Sequence, residues 1–237
     1  VLVNARGKKV GSVGRPLPGS PSLVVAGWNF DDNDFVRDGT GKLVRARLDE
    51  PGMLIARLSR RAGTDVAHID PRRLLRDAFE PGDLWFVTGD FFEVDVEGDF
   101  WHIDRQGQMV RTKLGAVGST RIEDAIYEAP DVALCIAGAR PDADDPPYQE
   151  AIAAIQLHSP AFDIETLSAA VATLPEYARP RRIRIVDEIP LTDGLRPIKR
   201  MLRELDFGDG DSVYAWDARA QHYVPTSPLT SAASGSG

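Results

Sequence analysis

The chain has 237 residues and a net charge of −8, with a pI near 5.1; that acidity excludes the basic footprint of a nucleic-acid binder, while the length allows one large domain or two modest ones. A single cysteine excludes a disulfide framework within the chain, and the four histidines have no close metal-ligand spacing with one another or with Cys135, so no metal site is expected. No apolar run is long enough to span a bilayer and no signal-peptide pattern is found, so a soluble, cytoplasmic protein is expected, with peripheral membrane contact left open.

Val1-Leu2-Val3 reads as a strand already under way, without an initiator Met, which suggests a piece of a longer protein. From Gly11 to about Asp104, short apolar runs alternate with Gly, Pro, Asn and Asp, and the stretches 22–26, 42–45 and 52–58 read as strands of a β-rich lobe. Pro71 to Phe79 places apolar residues at 74, 75, 78 and 79, the one-face spacing of a short helix with proline in its first turn. Strands resume at 85–87 and 91–96, and Glu97-Gly98-Asp99 turns the chain into Phe100-Trp101-His102-Ile103 as a hairpin. The acidic residues of that turn lack full calcium-loop spacing and read as a solvated turn.

Beyond Arg105 the pattern changes. Ser119 to Tyr127 has a hydroxyl available as a cap and apolar positions 122, 125 and 126, the mark of a helix. Val132–Ala139 and Ala151–Leu157 read as strands, with Cys135 as a reduced core cysteine. Residues 164–174 read as a helix capped by Asp163, and Arg182-Ile183-Arg184-Ile185-Val186 alternates like an edge strand. Residues 225–237 have the composition of a disordered tail. The fold class is therefore α+β.

Thr88-Gly89-Asp90 alone reads as a polar turn closing a strand. In order with Asp104-Arg105 and a basic cluster near 196, it reads instead as part of a nucleotide site shared between two domains. The order Thr88-Gly89-Asp90, Asp104-Arg105, Lys113, Arg121-Ile122-Glu123-Asp124, Leu174 to Pro180 and Pro190-Leu191-Thr192 resembles the C-terminal half of an adenylate-forming acyl-CoA synthetase. Phe35-Val36-Arg37-Asp38, Glu50 to Leu54, Arg73 to Phe79 and Val213 to Asp217 are similar to the fatty acid transport protein and very-long-chain acyl-CoA synthetase branch.

That resemblance implies a β-rich distal lobe of the adenylating domain at 1–106, a mobile C-terminal domain at 107–224 and a tail at 225–237. It also implies activation of a fatty acid by ATP through an acyl-adenylate, then transfer to coenzyme A. The phosphate loop, the acyl tunnel and the ligand for Mg2+ are expected upstream of Val1. Asp90 and Arg105 are implied to hold the ribose, His102 to flank the nucleotide and Gly107 to act as a hinge, while Asp104 reads equally well as an ion-pair partner. Gly115 belongs to the loop expected against the pantetheine arm, but Leu114 stands where the family has glycine. Arg196 occupies the place of the adenylating lysine; Lys199 could serve only if the loop shifted by three residues. The arginines at 179, 181, 182 and 184 could meet the phosphates of coenzyme A or cover an edge strand. These departures leave two alternatives open: a nucleotide-binding homologue without turnover, and an acyl-AMP ligase delivering to an acyl carrier protein.

Overall fold

A computed structural model describes residues 2–4, 9–58, 67–160 and 162–226. Val1 and residues 227–237, most of the expected tail, lie outside the described residues. The chain divides into two compact units, Val1–Gly107 and Gln108–Gly237.

The first unit is built on strands. Leu2–Val3 (β1) pairs antiparallel with Arg15–Pro16 (β2). Leu23–Asn29 (β3), Asp34–Phe35 (β4), Gly52–Arg57 (β5), Leu74–Arg76 (β6), Leu84–Val94 (β7) and Phe100–Arg105 (β8) form one antiparallel sheet. Its order is β4-β3-β5-β7-β6, with β8 also paired to β7. Val25, Leu54, Phe92 and Phe100 pack as one buried cluster of this unit. Residues 42–45 make only isolated bridges, Arg37 with Leu43 and Ala26 with Arg45, and not the expected continuous strand.

The helix expected at 71–79 does not form. Asp70 accepts the Arg72 N–H and starts a single 3-10 turn over Pro71–Arg73, after which Leu74–Arg76 pair with Phe86, Trp85 and Leu84. Asp77 then turns left-handed at φ 54°, a geometry that ends any helix. The apolar spacing was real, but an available sheet edge outcompeted a short helix of marginal intrinsic stability.

Asp83, 6% exposed, organises the next turn. Its carboxylate accepts the backbone N–H groups of Ala78 at 2.6 Å, Phe79 at 3.0 Å and Glu80 at 3.1 Å, and the Trp85 indole N–H at 2.8 Å. Burial pushes this carboxyl up; the indole and backbone donors outweigh it and hold the group below its ordinary value of 3.8. A carboxyl depressed on folding contributes stability that is full above its unfolded pKa and is lost as pH falls through the lower folded value. Asp83→Asn should therefore cost about 1–3 kcal/mol at neutral pH. In urea unfolding the gap to the parent should shrink below pH 3.8; a gap independent of pH would refute the charge-based account.

The acidic hairpin turn also departs from expectation, since it is occupied and not merely solvated. Lys9 Nζ lies 2.6, 3.1 and 3.3 Å from Asp95, Glu97 and Asp99, and Arg15 pairs with Asp99 at 3.0 Å. The Lys9 ammonium holds Asp95 well below the carboxylate range.

The second unit opens with the hairpin Met109–Thr112 (β9) and Gly115–Gly118 (β10), followed by helix Ser119–Tyr127 (α1). Val132–Pro141 (β11) and Gln149–Leu157 (β12) are antiparallel, and Ile164–Ala172 (α2) follows. Arg182–Ile185 (β13), Val213–Asp217 (β14) and His222–Pro225 (β15) complete a sheet in the order β11-β12-β13-β14-β15. Alternation divides the sheet into two buried faces. Cys135, Ala137, Ala153 and Ile155 pack with Ile122, Ile126, Leu167 and Val171 of the two helices. Ile136, Ile152 and Ala154 pack instead with Ile189, Leu202 and Phe207. Double coverage explains why β11 and β12 read as nearly unbroken apolar runs.

Asp163 caps α2 through the Glu165 N–H, as expected. Ser119 does not cap α1: Gly118 occupies that position, while the buried Ser119 hydroxyl accepts a 2.6 Å bond from Lys199. The strand at 182–185 is not an edge either. It lies between β12, in parallel, and β14, antiparallel, because the last strands return beyond it. Pro225 is the last residue of β15 and not the start of a loose tail.

Candidate functional site

Thr88-Gly89-Asp90 sits inside β7 and closes no strand. On the β5 side the register jumps from Met53↔Phe91 to Ile55↔Val87, so Leu54 faces an expanded segment of β7. Gly89 reaches φ 81° there, a value that favours glycine. The Thr88 hydroxyl donates to the Leu54 carbonyl at 2.8 Å and accepts the Asp90 N–H at 3.1 Å, so one side chain stitches the bulge closed.

Cross-strand pairing then sets Asp90 against Arg105, with Arg105 Nε 3.6 Å from Asp90 Oδ1. The side chains are 33% and 75% exposed. Such an open pair contributes about 0–1 kcal/mol to stability. It therefore leaves Asp90 with acceptor capacity for a ligand hydroxyl and Arg105 with free donors. Asp104 is buried, and its carboxylate accepts the Arg105 N–H at 2.8 Å. His102 is exposed and meets the Phe92 ring edge-on at 5.1 Å. Gly107 lies in a 3-10 turn at 106–108, where an added Cβ would meet nothing within 4 Å.

A residue not singled out as functional completes this region. Arg73 donates from Nε to the Val87 carbonyl at 2.9 Å and from Nη2 to the Thr88 carbonyl at 2.6 Å, and its guanidinium lies 4.4 Å from the Phe86 ring centre. Its signals in the chain were membership of a stretch that read as a helix and of one that carries the family resemblance, neither of which pointed to a role for its side chain.

In the second unit, a cleft of about 820 Å³ is lined by residues including Lys113, Leu114, Tyr177, Arg181 and Trp216. Lys113 Nζ pairs with Asp145 at 2.7 Å, and Leu114 is 72% exposed. Gly115 has φ 151°, and a Cβ there would meet the Tyr177 ring at 3.3 Å. Gly115→Ala should thus cost about 1–3 kcal/mol from backbone strain, with the steric part relieved in a Tyr177→Ala background. Thermal unfolding reads both terms, and an alanine variant as stable as the parent would overturn the need for glycine.

The arginine cluster near the cleft is already engaged. Arg179 donates to the Leu174 and Ala172 carbonyls that end α2, and Arg182 to the Phe207 carbonyl and Asp209. Arg184 bonds the Asp206 carbonyl, and Arg181 lies within 4 Å of Asp142, Asp144 and Glu150. These contacts shape the fold locally and favour neither a free phosphate subsite nor an edge guard.

Arg196 stands on an exposed loop closed by Thr192 N–H to Arg196 O at 2.9 Å and Arg196 N–H to Thr192 Oγ1 at 3.2 Å. Leu195 takes φ 58° at its tip. Lys199 is drawn inward to Ser119 Oγ at 2.6 Å and Glu123 Oε1 at 2.9 Å. Cys135 is buried in β11, where burial pushes its thiol pKa up and keeps it protonated. Among the described residues, no group of three or more His, Cys, Asp or Glu is placed to hold a metal ion, and no helix is long and apolar enough to cross a membrane.

Residues 121–194 match the AMP-binding enzyme C-terminal domain. Over 219 residues, covering 89% of the chain, the sequence is 31% identical to the medium/long-chain-fatty-acid–CoA ligase FadD6 of Mycobacterium tuberculosis. The chain therefore carries the AMP-binding enzyme C-terminal domain and is similar to fatty-acid–CoA ligases. It is 29% identical to long-chain fatty acid transport protein 5 of Homo sapiens over 87% of the chain. It is 27% identical to the very long-chain fatty acid transport protein of Saccharomyces cerevisiae over 81%. The chain spans 36%, 31% and 32% of these three relatives. The fold is similar to that of Bacillus subtilis O-succinylbenzoate coenzyme A synthetase in complex with AMP, with a TM-score of 0.57 at 20% identity over 82% of this chain and 36% of that one. ATP-bound MatB from Rhodopseudomonas palustris gives 0.57 at 22% identity, over 82% and 35%.

Proposed function

We propose that the chain is the C-terminal portion of an ATP-dependent ligase that activates long or very long chain fatty acids and transfers them to coenzyme A. In that reaction a carboxylate oxygen attacks the α-phosphorus of ATP and pyrophosphate leaves. The thiol sulfur of coenzyme A then attacks the acyl carbonyl, AMP leaves and the thiol proton is released. The observation that carries the reading is the bulge that presents Asp90 beside Arg105 with acceptor and donor capacity to spare. The relatives, named as fatty-acid–CoA ligase and fatty acid transport proteins, support the substrate class.

Each residue of this chain has a physical task in the proposal. Asp90 accepts from the ribose hydroxyls and Arg105 donates to the same ring, positioning the nucleotide without taking part in bond changes. His102 flanks the nucleotide. Arg196 supplies positive charge where negative charge grows on the carboxylate and α-phosphate. Gly107 is the hinge of the mobile part and Gly115 the close-approach residue for the pantetheine arm. Mg2+ would accompany ATP; among the described residues no group of three or more His, Cys, Asp or Glu is placed to hold it.

A second reading, delivery of the acyl group to a carrier protein, rests on exposed Leu114 at the place of a family glycine. Contact with a membrane surface is a further expectation, motivated by the fatty acid transport protein relatives. The complete ligase, given a long-chain fatty acid, ATP and either coenzyme A or an acyl carrier protein, should form acyl-CoA and not acyl-carrier. The reverse would replace the first reading with the second.

A further inference from the structure

β7 has two edges, and β5 occupies one of them along most of its length. On the other edge β6 pairs only as far as Leu74↔Phe86, while β8 begins only at Asp90↔Arg105. The ladder on that side therefore stops just before Thr88-Gly89-Asp90 and resumes on its last residue. The next pair in the β6 register would be residue 73 with Val87. The chain instead curls into the 3-10 turn at 71–73, and the Arg73 side chain takes the place of the missing strand. Its Nε reaches the Val87 carbonyl and its Nη2 the Thr88 carbonyl, at 2.9 and 2.6 Å.

We infer that Arg73 is a positioning residue for the nucleotide: its guanidinium holds the open edge of the bulge and so sets where the Asp90 carboxylate stands. The geometry is specific to arginine. Two donors in one rigid plane match two successive carbonyls, and the same plane packs on the Phe86 ring at 4.4 Å. Thr88 ties the bulge to Leu54 on one side and Arg73 ties it on the other, so the segment ending at Asp90 has little freedom despite φ 81° at Gly89. Without Arg73 the Val87 and Thr88 carbonyls would turn to water, and Asp90 would move with them.

The inference rests on the proposed ribose role of Asp90, and its test separates the two. The kcat/KM of the complete ligase is compared for ATP and 2′-deoxyATP in the parent, Arg73→Ala, Arg73→Lys and Asp90→Ala, with fatty-acid KM as the internal control. Losing two charge-assisted hydrogen bonds at an exposed position should raise the KM for ATP about three- to tenfold in Arg73→Ala. The preference for ATP over 2′-deoxyATP should fall toward that of Asp90→Ala, with the fatty-acid KM unmoved. Arg73→Lys should lie between, since it keeps the charge without the fork, and it keeps the test open if the alanine variant fails to fold. General destabilisation would lower the active fraction and leave the ratio alone. If Asp90→Ala loses discrimination while Arg73→Ala and Arg73→Lys retain all of it, the positioning role is overturned and the ribose reading stands. If Asp90→Ala itself retains discrimination, the ribose reading falls, and the inference with it.

Discussion

Arg196→Ala in the complete ligase should lower fatty-acid-dependent pyrophosphate exchange by about 10²- to 10³-fold, the loss expected when one preorganised charge-stabilising donor leaves a transition state. The local structure supports this residue over its rival. Its loop is closed by reciprocal bonds between Thr192 and Arg196 and crossed by the Leu191↔Pro197 bridge, which leaves the guanidinium exposed on a defined support. Lys199 is committed to Ser119 and Glu123, and Glu123 also receives the Ala137 N–H. Freeing that ammonium would remove the ion pair from a carboxylate that is 13% exposed, a costly exchange. Arg196→Lys should keep or raise exchange, because a compact ammonium can approach a single developing oxyanion that a planar fork meets at an angle. Absence of fatty-acid-dependent exchange in the parent, with no gain in Arg196→Lys, would sink the active-ligase reading in favour of a nucleotide-binding homologue without turnover.

Asp90→Ala should raise the KM for ATP about 10²-fold, the scale of losing a bidentate, charge-assisted grip on two hydroxyls. Stability should change by less than about 1 kcal/mol, since the pair with Arg105 is open and long at 3.6 Å. That split between binding and stability is the diagnostic feature. An unfolding midpoint that drops as steeply as activity would make Asp90 a structural residue of β7, and isothermal titration with AMP alongside thermal unfolding distinguishes the outcomes.

The apolar patterning of β11, β12, α1 and α2 was legible in the chain because both layers of the second unit obey periodicity. Ile122, Ala125 and Ile126 recur at helical spacing, while Ala151 to Ile155 forms an unbroken apolar run suited to a strand buried on both faces. Asp163 was legible as a cap for a local reason, since its partner is two residues away. The hydroxyl expected to cap α1 does not do so: Gly118 holds the cap position, and Ser119 bonds instead to Lys199, eighty positions along the chain. Arg182 to Ile185 was misread as an edge because strand order is a property of the whole sheet, and β14 and β15 add to it only later.

The candidate site divides along the same line. The ordered motifs and the family they resemble singled out Asp90, Arg105, Gly115 and Arg196, and charge, donor number and the freedom of glycine, which belong to the residue itself, make them chemically apt. The chain alone could not show that Thr88-Gly89-Asp90 is a bulge inside a strand, that Asp90 faces Arg105, or that Arg73 fills the gap between β6 and β8. Those facts depend on register and on which edge of β7 each partner occupies. Register is settled by the summed burial and hydrogen bonding of the whole sheet, so no window of sequence contains it.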